Sequence, residues 1–320
     1  GLVFGPMARF MTRALHACKD TRSSWGARVD LSDAAQVELA FWSGLTCEAC
    51  VECVWPRPPV VAEAWVCTDA SASAWAGVGP GGLQAHGELQ PAERLRSSAH
   101  RELLAAHAVL VSFAPALRGK VVTLLTDSQN CALVVRNGSS KPDLQQLALD
   151  IFTWCRQQGV VLRVVWVPRK ENQHADELSK WVDTADYMVA GAVFAAADRE
   201  WGPHEVDRFA SHTAHVLPVF NSLFYCPGTA GVDALARPWG RVNNWVHPPV
   251  GLVGAVVRHM QQEGSKGTLL VPHWPKQPWW PLLQPVEGCW APFVVGARFL
   301  PSLRRAVQPG VAGAAGVASF

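Results

Sequence analysis

The chain has 320 residues, of which 49% are apolar and 15 are tryptophan. That apolar content can fill two cores of ordinary size, which excludes a disordered chain. The formal net charge of +2 is too small to indicate nucleic-acid binding by itself. No apolar stretch is long enough to cross a bilayer, and the first residues lack the charged-then-apolar order of a secretory signal. We therefore expect an intracellular protein without a membrane partner, in either the cytoplasm or the nucleus.

The nine cysteines cluster only at Cys47, Cys50 and Cys53. A CxxCxxC run without a nearby second pair of ligands lacks the closing half of a structural zinc site, although His16 or Cys18 could supply it from a distance. The spacing therefore favours reduced, mostly buried thiols over zinc.

The first 54 residues contain two predicted helices, over 6–20 and 32–45. In the second helix, Val37, Phe41 and Leu45 recur every four residues, and Asp30 or Ser32 is the candidate N-cap. Three prolines in "WPRPPVV" cannot continue a helix and place a boundary near residue 58.

A three-stranded meander is predicted next, from "EAWVCTDA", "AWAGVGPGG" and "LQAHGEL". The following "SSAHRELLAAHAVLVSF" is typical of a helix capped by Ser97 or Ser98, and its apolar face is formed by Leu103, Ala106, Leu110 and Phe113.

The remaining pattern predicts a buried strand at "KVVTLLTD" and a helix at "LQQLALDIFTWCRQQG" that ends at Gly159. A second buried strand, "VVLRVVWVP", and a closing helix, "NQHADELSKW", complete the order of three strands, helix, strand, helix, strand, helix.

Four carboxylates stand out by their position in this order. Asp69 ends the first strand, Asp127 ends the central strand, Glu102 lies in the first turns of the helix between them, and Asp176 opens the last helix. Each residue taken singly also suits a turn, a cap or the helix dipole. If the first and fourth strands are neighbours, the four side chains meet, and hard divalent cations such as Mg²⁺ prefer oxygen ligands of this kind.

The motifs that carry these residues are "TDAS", "SSAHRELLA", "LLTDSQ" and "ENQHADELSK". Together, over roughly residues 60–182, they resemble the type 1 ribonuclease H domain in the form fused to reverse transcriptases of retroelements. The resemblance implies an α/β fold with a ribonuclease H-like mixed five-stranded sheet and flanking helices. It also implies a catalytic and metal-binding tetrad formed by Asp69, Glu102, Asp127 and Asp176.

The same resemblance implies two Mg²⁺ ions, or Mn²⁺ in their place, and an RNA–DNA hybrid as substrate. The loop before the last aspartate is short, so His174 does not match the histidine-bearing loop of cellular members, and their basic extra helix has no counterpart. Hybrid binding would then rest on Arg136, Lys141, Arg169 and Lys170, or on a missing partner domain. Ser71, Ser73, Gln129 and Asn130 are candidates for backbone and 2′-hydroxyl contacts.

The flanks give the predicted organisation of the chain. Residues 1–58 resemble the tail of a reverse transcriptase, 59–183 form the ribonuclease H-like domain, 184–202 a linker helix, and 203–320 a second, smaller α/β domain with a low-complexity tail. The polymerase core is expected as a partner in cis or trans, in a longer polyprotein.

The last segment resembles the region after ribonuclease H in DIRS-type and related tyrosine-recombinase retrotransposons, and also phage-type adenine-N6 methyltransferases. In those enzymes an acidic or amide residue precedes Pro-Pro and an aromatic follows it, to hold a flipped adenine. Here the quartet is His247, Pro248, Pro249 and Val250, so both chemically important positions differ. We therefore expect a methyltransferase-like fold without that activity.

Two further pairs in this segment have competing interpretations. Asp207 and Asp233 would line a residual S-adenosylmethionine pocket or serve as turn and cap residues. Trp279 and Trp280 suit a core or an interface better than a base-stacking platform.

Three functions follow from these patterns. The leading hypothesis is a Mg²⁺-dependent ribonuclease that cleaves the RNA strand of RNA–DNA hybrids during reverse transcription of a retroelement. The alternatives are a nucleic-acid-binding scaffold with a decayed nuclease, and an adenine methyltransferase that would bind S-adenosylmethionine.

Overall fold

The computed structural model describes residues 10–45, 64–182, 187–300 and 307–309. Its helices are α1 (Arg13–Asp20), α2 (Asp33–Leu45), α3 (Pro91–Arg94), α4 (Ser98–Ser112), α5 (Ala114–Leu117), α6 (Gln129–Asn137), α7 (Pro142–Gln158), α8 (Gln173–Ser179), α9 (Gly191–Trp201), α10 (Val253–Glu263) and α11 (Trp280–Leu283). Its strands are β1 (Ala64–Ala70), β2 (Ala74–Val78), β3 (Gln84–Glu88), β4 (Val121–Thr126), β5 (Val161–Trp166), β6 (Tyr187–Val189), β7 (Val206–Asp207), β8 (Asn221–Ser222), β9 (Gly231–Val232), β10 (Asn243–Val246), β11 (Lys266–Leu269) and β12 (Val307–Pro309).

The main sheet has five strands in the order β3-β2-β1-β4-β5. The meander β1-β2-β3 is antiparallel, whereas β4 runs parallel to β1 and β5 runs parallel to β4. This mixed sheet with flanking helices is the ribonuclease H-like fold expected from the sequence. Because β1 and β4 are parallel neighbours, their carboxyl ends meet at one edge of the sheet.

The core lies between this sheet and α4, whose predicted apolar face is confirmed. Leu103, Ala106 and Leu110 are fully buried, and Phe113 is 1% exposed. The Ser97 side chain accepts a hydrogen bond from the His100 amide, so Ser97 is the cap.

Helix α4 packs against β2 at a glycine. A Cβ on Gly77 would come within 2.4 Å of Val109 Cγ1. The missing side chain therefore sets the distance between this helix and the sheet.

The N-terminal helices are confirmed in position, but the predicted buried face of α2 is wrong at Val37. That residue is 65% exposed, whereas Ala35 and Glu38 are buried and Phe41 is partly buried. Glu38 is buried because its two carboxylate oxygens accept hydrogen bonds from the Ala14 and Leu15 amides in the first turn of α1. Its side chain therefore caps the N-terminus of α1 from a position where the pattern predicted an apolar side chain. The side chain of Leu45 lies outside the described residues, and Ser32 caps α2 by accepting a hydrogen bond from Ala35.

Two further predictions within the main domain need correction. The predicted order has no helix between β4 and α7, but α6 (Gln129–Asn137) begins there at the Ser128 cap. The strand β5 was expected to be buried, yet it is an edge strand in which Val165 and Trp166 are 40% and 44% exposed. An apolar run therefore does not distinguish a central strand from an edge strand.

Helix α7 ends as predicted, at Gly159 in the left-handed region (φ +66°).

The C-terminal region contains a parallel three-stranded sheet in the order β11-β10-β7. The buried His204 side chain lies between α9 and β11, with its Nδ1 2.7 Å from Asp198 Oδ1 and its Nε2 2.7 Å from the Thr268 hydroxyl oxygen. Trp279 and Trp280 are buried, as expected for core residues.

This region is bound to the edge of the main sheet. The His86 amide of β3 donates to the Tyr225 carbonyl, and the Tyr225 amide donates to the Gln84 carbonyl. Phe220 and Cys226 belong to the same hydrophobic cluster as the main core. The edge strand β3 is thereby covered, which removes an open hydrogen-bonding edge.

The described cysteines, Cys18, Cys67, Cys131, Cys155, Cys226 and Cys289, carry free thiols. The CxxCxxC run at Cys47, Cys50 and Cys53 and the boundary near residue 58 lie outside the described residues. Across the part of the chain that the structure describes, we find no helix with both the length and the apolarity needed to cross a membrane.

Candidate active site

The candidate site begins at the carboxyl ends of β1 and β4. Thr68 and Thr126 are register partners on these parallel strands. Asp69 on β1 and Asp127, the first residue after β4, therefore lie side by side at the edge of the sheet. This position requires only the strand register, which is why the sequence pattern could predict it.

Glu102 completes a cluster of three carboxylates. It lies in the second turn of α4, which packs against β1 and β2. One ligand oxygen from each of Asp69, Glu102 and Asp127 lies within 4.8 Å of the others. The structure therefore brings three of the four predicted metal ligands together.

Burial and mutual repulsion make this cluster electrostatically costly without a cation. The pKa of Glu102 is raised to about 9. Burial is the largest cause, and repulsion from the charges of Asp69 and Asp127 adds to it. Burial also raises the pKa of Asp69, with repulsion from Asp127 and Asp176 added and a hydrogen bond from Ser179 opposing it. The Glu102 Oε2 atom is buried without a hydrogen-bond partner.

The donor set fits a hard divalent cation. Three carboxylates supply only oxygen ligands, which Mg²⁺ and Mn²⁺ both accept. A cation between them would remove the repulsion and satisfy the unpartnered Glu102 oxygen.

Asp176, the fourth predicted ligand, is held differently. It is 8% exposed and forms ion pairs with Arg169 and with Lys180, one helical turn further along α8. Burial pushes the pKa of Asp176 upward, but hydrogen bonds from Lys180 and Arg169 outweigh it and the pKa is lowered. Asp176 therefore lies beside the three-carboxylate cluster with its charge already neutralised by two cations.

Ser179 is a site residue that the sequence analysis missed. Its side chain is fully buried and its hydroxyl lies 2.6 Å from Asp69 Oδ2, to which it donates, and 2.9 Å from the Asp176 carbonyl oxygen. Asn172, also buried, donates from Nδ2 to the Thr68 carbonyl at 2.9 Å. Both residues fasten α8 and its preceding turn to the end of β1. The available signal was spacing, since Ser179 follows Asp176 by three residues and so shares its helix face.

The predicted nucleic-acid contacts are distributed unevenly. Gln129 and Asn130 are exposed at the start of α6, directly after the Asp127–Ser128 turn. Lys141 and Lys170 are exposed as well. Ser71 uses its hydroxyl inside the β1-β2 turn, where it accepts from the Ser73 and Ala74 amides.

Arg136 forms hydrogen bonds within the fold, so its guanidinium is not free to bind a ligand. Its guanidinium donates through Nε and Nη2 to the Val164 carbonyl of the edge strand β5. Arg169 is engaged by Asp176, although its side chain remains 66% exposed. Among the predicted basic contacts, these two would have to exchange an existing partner for a phosphate.

The quartet from His247 to Val250 follows the end of β10 and lines a cavity of about 1610 Å³. Burial lowers the pKa of His247 to about 4, so its imidazole is neutral at pH 7. Asp207 is buried, accepts a hydrogen bond from Val216, and has its pKa raised to about 6 by burial. Asp233 is exposed and caps a short helical turn by accepting from Leu235.

Comparison with known proteins gives structural matches alone. No protein-family model and no curated protein matches the sequence. A solved structure of RNase H1 from the halophilic archaeon Halobacterium salinarum NRC-1 is similar, with 18% identity and a TM-score of 0.31 over 37% of this chain and 94% of that chain. LC11-RNase H1, solved in complex with an RNA/DNA hybrid, matches with 19% identity and a TM-score of 0.31 over 36% of this chain and 92% of that chain. The N-terminal RNase H domain of a Mycobacterium tuberculosis protein, solved as a fusion with maltose-binding protein, matches with 17% identity and a TM-score of 0.31 over 37% of this chain and 95% of that chain.

Proposed function

We propose that residues 64–182 form a divalent-metal-dependent endoribonuclease that hydrolyses the RNA strand of RNA–DNA hybrids. The observation that carries this proposal is the convergence of Asp69, Glu102 and Asp127 at the carboxyl ends of two parallel strands, with Asp176 beside them. Open α/β sheets place their ligands at this edge. We assign the activity to the reverse transcription of a retroelement, with a reverse transcriptase polymerase domain as partner in cis or trans.

The three clustered carboxylates would hold the metal. When bound, two Mg²⁺ ions, or Mn²⁺ in their place, supply an activated water and stabilise charge on the phosphodiester. Glu102 offers an oxygen that has no other partner, and Ser179 holds Asp69 in a fixed orientation. The Ser179 hydrogen bond leaves the other oxygen of Asp69 for the ion.

The cations around Asp176 give the site a way to respond to substrate. Arg169 and Lys180 have side chains that are 66% and 54% exposed, so phosphates of a bound hybrid compete with Asp176 for both. Transfer of these cations to the hybrid backbone would free Asp176 to join the other carboxylates. Gln129 and Asn130, beside Asp127, are placed to contact the 2′-hydroxyl that distinguishes RNA from DNA.

The alternative function, a hybrid-binding scaffold without catalysis, is favoured by one observation. Asp176 is already paired with two cations, so a site locked in that arrangement would lack its fourth ligand. Such a protein would bind hybrid and leave it intact.

The test is a cleavage assay of the full chain on a labelled RNA–DNA hybrid, an RNA duplex and a DNA duplex of one sequence. We expect Mg²⁺-dependent cleavage of the RNA strand in the hybrid alone, which EDTA abolishes. Glu102→Gln should lower the rate by about 100-fold or more, because it removes a ligand charge from the metal site. Glu171→Gln, which changes an exposed carboxylate outside the cluster, is the control and should leave the rate unchanged.

Two results would count against the nuclease. Cleavage that persists in EDTA would exclude the metal site as its source. Tight hybrid binding without cleavage, in Mg²⁺ and in Mn²⁺, would identify the scaffold instead.

A further inference from the structure

Three side chains in the C-terminal region form a hydrogen-bonded chain that the proposed nuclease does not use. Asp198 lies in the last turn of α9, His204 lies between α9 and β7, and Thr268 lies in β11. The His204 ring connects the other two, with Nδ1 2.7 Å from Asp198 Oδ1 and Nε2 2.7 Å from Thr268 Oγ1. A carboxylate, an imidazole and a hydroxyl in this order form a catalytic triad in many hydrolases.

The carboxylate decides which nitrogen of His204 can act as a base. Hydrogen bonds from the His204 amide and from its ring lower the pKa of Asp198, which keeps the carboxylate ionised. An ionised carboxylate only accepts hydrogen bonds, so Nδ1 carries the proton between them. In the neutral imidazole the other nitrogen, Nε2, is then the acceptor for the Thr268 hydroxyl proton.

The surroundings of His204 hold the ring in this orientation. Its side chain is fully buried, and the rings of Phe194 and Trp245 lie against it with ring centres 6.0 and 5.5 Å away. Asp198 Oδ1 also accepts from the His204 amide at 2.8 Å, so the carboxylate is fixed by two hydrogen bonds. A base held in this way is already positioned to take the proton from Thr268.

Thr268 borders a space that can admit a substrate. It is partly buried and lines the cavity of about 1610 Å³. Helix α9 packs against β11 and adds Val193, Ala196 and Ala197 to the wall. The acidic and basic residues of the wall have both signs of charge: Glu88, Arg208, Asp233, Lys266 and Arg298. Apolar side chains and mixed charges together suit a neutral molecule with an apolar group.

We propose that Thr268 is the nucleophile of a second active site, which hydrolyses neutral carboxylic esters with an apolar acyl group. The Thr268 oxygen attacks the ester carbonyl carbon, and His204 Nε2 takes the hydroxyl proton. The bond between that carbon and the leaving oxygen then breaks, and His204 gives the proton to the departing alcohol. A water molecule, deprotonated by the same nitrogen, releases the acid and restores Thr268. The site shares no residue with the carboxylate cluster, so it is independent of the proposed nuclease.

The charge that forms on the carbonyl oxygen has a cation on the same strand. Lys266 precedes Thr268 by two residues in β11, so the two side chains point to the same face of the strand. Lys266 also lines the cavity. Its ammonium group can therefore stabilise the oxyanion when Thr268 attacks.

Hydrolysis of p-nitrophenyl butyrate by the full chain tests this site. We expect release of p-nitrophenolate that is faster than with a heat-unfolded sample of the same protein, and that falls in acid as His204 takes up a proton. Asp127→Asn should leave this rate unchanged, because it alters the nuclease site alone. A wild-type rate no higher than that of the unfolded sample would overturn the proposal.

Three variants attribute the reaction to the triad. Thr268→Val, which removes only the hydroxyl, and Asp198→Asn, which removes the carboxylate that orients His204, should each lower the rate by about 100-fold or more. Thr268→Ser keeps a hydroxyl and should retain activity. Thr123→Val, the same change in a strand of the main sheet, is the control and should leave the rate unchanged. An unchanged rate in a folded Thr268→Val protein would assign the hydrolysis to another residue and overturn the proposal.

Covalent labelling identifies the nucleophile without a variant. Diisopropyl fluorophosphate forms an oxygen–phosphorus bond with an activated hydroxyl as fluoride leaves. We expect one adduct on the folded wild-type chain, which peptide mass spectrometry places on Thr268. An adduct confined to other residues would contradict the assignment.

Discussion

At the residue scale, the site depends on side chains that hold the carboxylates as much as on the carboxylates. Ser179 is fully buried and donates to Asp69, and Asn172 fastens the preceding turn to β1. A buried hydroxyl that donates to a carboxylate favours its ionised form, which is the form that binds a metal. Ser179 is therefore a positioning residue for the proposed reaction.

Ser179→Ala should raise the Mg²⁺ concentration needed for half-maximal cleavage by about tenfold or more, because one hydrogen bond to a charged group contributes roughly 1.5–3 kcal/mol. The rate at saturating Mg²⁺ should change much less. A Mg²⁺ titration of hybrid cleavage measures both quantities.

Ser112→Ala is the matched control, since Ser112 is also buried but donates to the Ala108 carbonyl at the far end of α4. An equal rise in both variants would show that Ser179 acts through general stability and not through Asp69.

At the element scale, periodicity predicted most helices and strands, and it failed where polar groups decide burial. The face of α4 was predicted because apolar residues fill it. The face of α2 was not, because Glu38 occupies a buried position as a cap for α1. No apolar pattern signals a buried carboxylate whose partners are backbone amides 23 and 24 residues away.

Glu38→Gln should loosen α1 from α2. A carboxylate accepts two charge-assisted hydrogen bonds here, whereas the amide has one oxygen, so we expect a loss of roughly 1–2 kcal/mol. Hydrogen exchange measures it directly as faster exchange of the Ala14 and Leu15 amides. Asp30→Asn, at the exposed residue that the sequence offered as an alternative cap, should leave both amides protected. Unchanged protection in Glu38→Gln would contradict the capping role.

The candidate site was predictable for the same physical reason as the sheet. Strand-end aspartates follow from β-strand periodicity, and parallel pairing of β1 with β4 brings them together. The ion pairs of Asp176 were not predictable, because any of several nearby cations could have reached it. Tertiary packing selects Arg169 and Lys180.

At the scale of the whole molecule, the C-terminal region is attached through the edge strand β3 and an aromatic cluster. His86, Trp181 and Phe224 meet with ring centres 5.0–5.6 Å apart. Trp181 follows Lys180 directly, so this cluster connects the C-terminal region to the helix that carries Asp176 and Ser179. Packing at the interface therefore also supports the candidate site.

Acid should weaken this attachment through His86. Burial lowers the pKa of His86 to about 4, with repulsion from His212 adding to it and a backbone hydrogen bond with Trp181 opposing it. Above pH 6.5 the histidine is neutral in both folded and unfolded chains, so its titration does not change the free energy of unfolding. Between pH 6.5 and 4 only the unfolded chain takes up the proton, and folding stability falls by up to about 3 kcal/mol.

The variant His86→Phe keeps an aromatic ring but does not titrate. Calorimetric scans should show it gaining stability relative to the wild type as the pH falls from 7 to 4. His16→Phe, at an exposed histidine, should show no such gain. Parallel pH profiles for His86→Phe and the wild type would contradict the role of His86.

The most direct test of the central claim, that the carboxylate cluster performs hybrid hydrolysis, is Asp127→Asn in the full chain. Asp127 is partly exposed and its main-chain oxygen, which accepts from Trp166 at 2.9 Å, is untouched by the change. Asp143→Asn, at an exposed aspartate on α7, is the control with the same loss of charge. In Mg²⁺ we expect the wild type and Asp143→Asn to cleave the RNA strand of a labelled hybrid, and Asp127→Asn to lose about 100-fold or more of the rate. Equal cleavage by Asp127→Asn and the wild type would contradict the account.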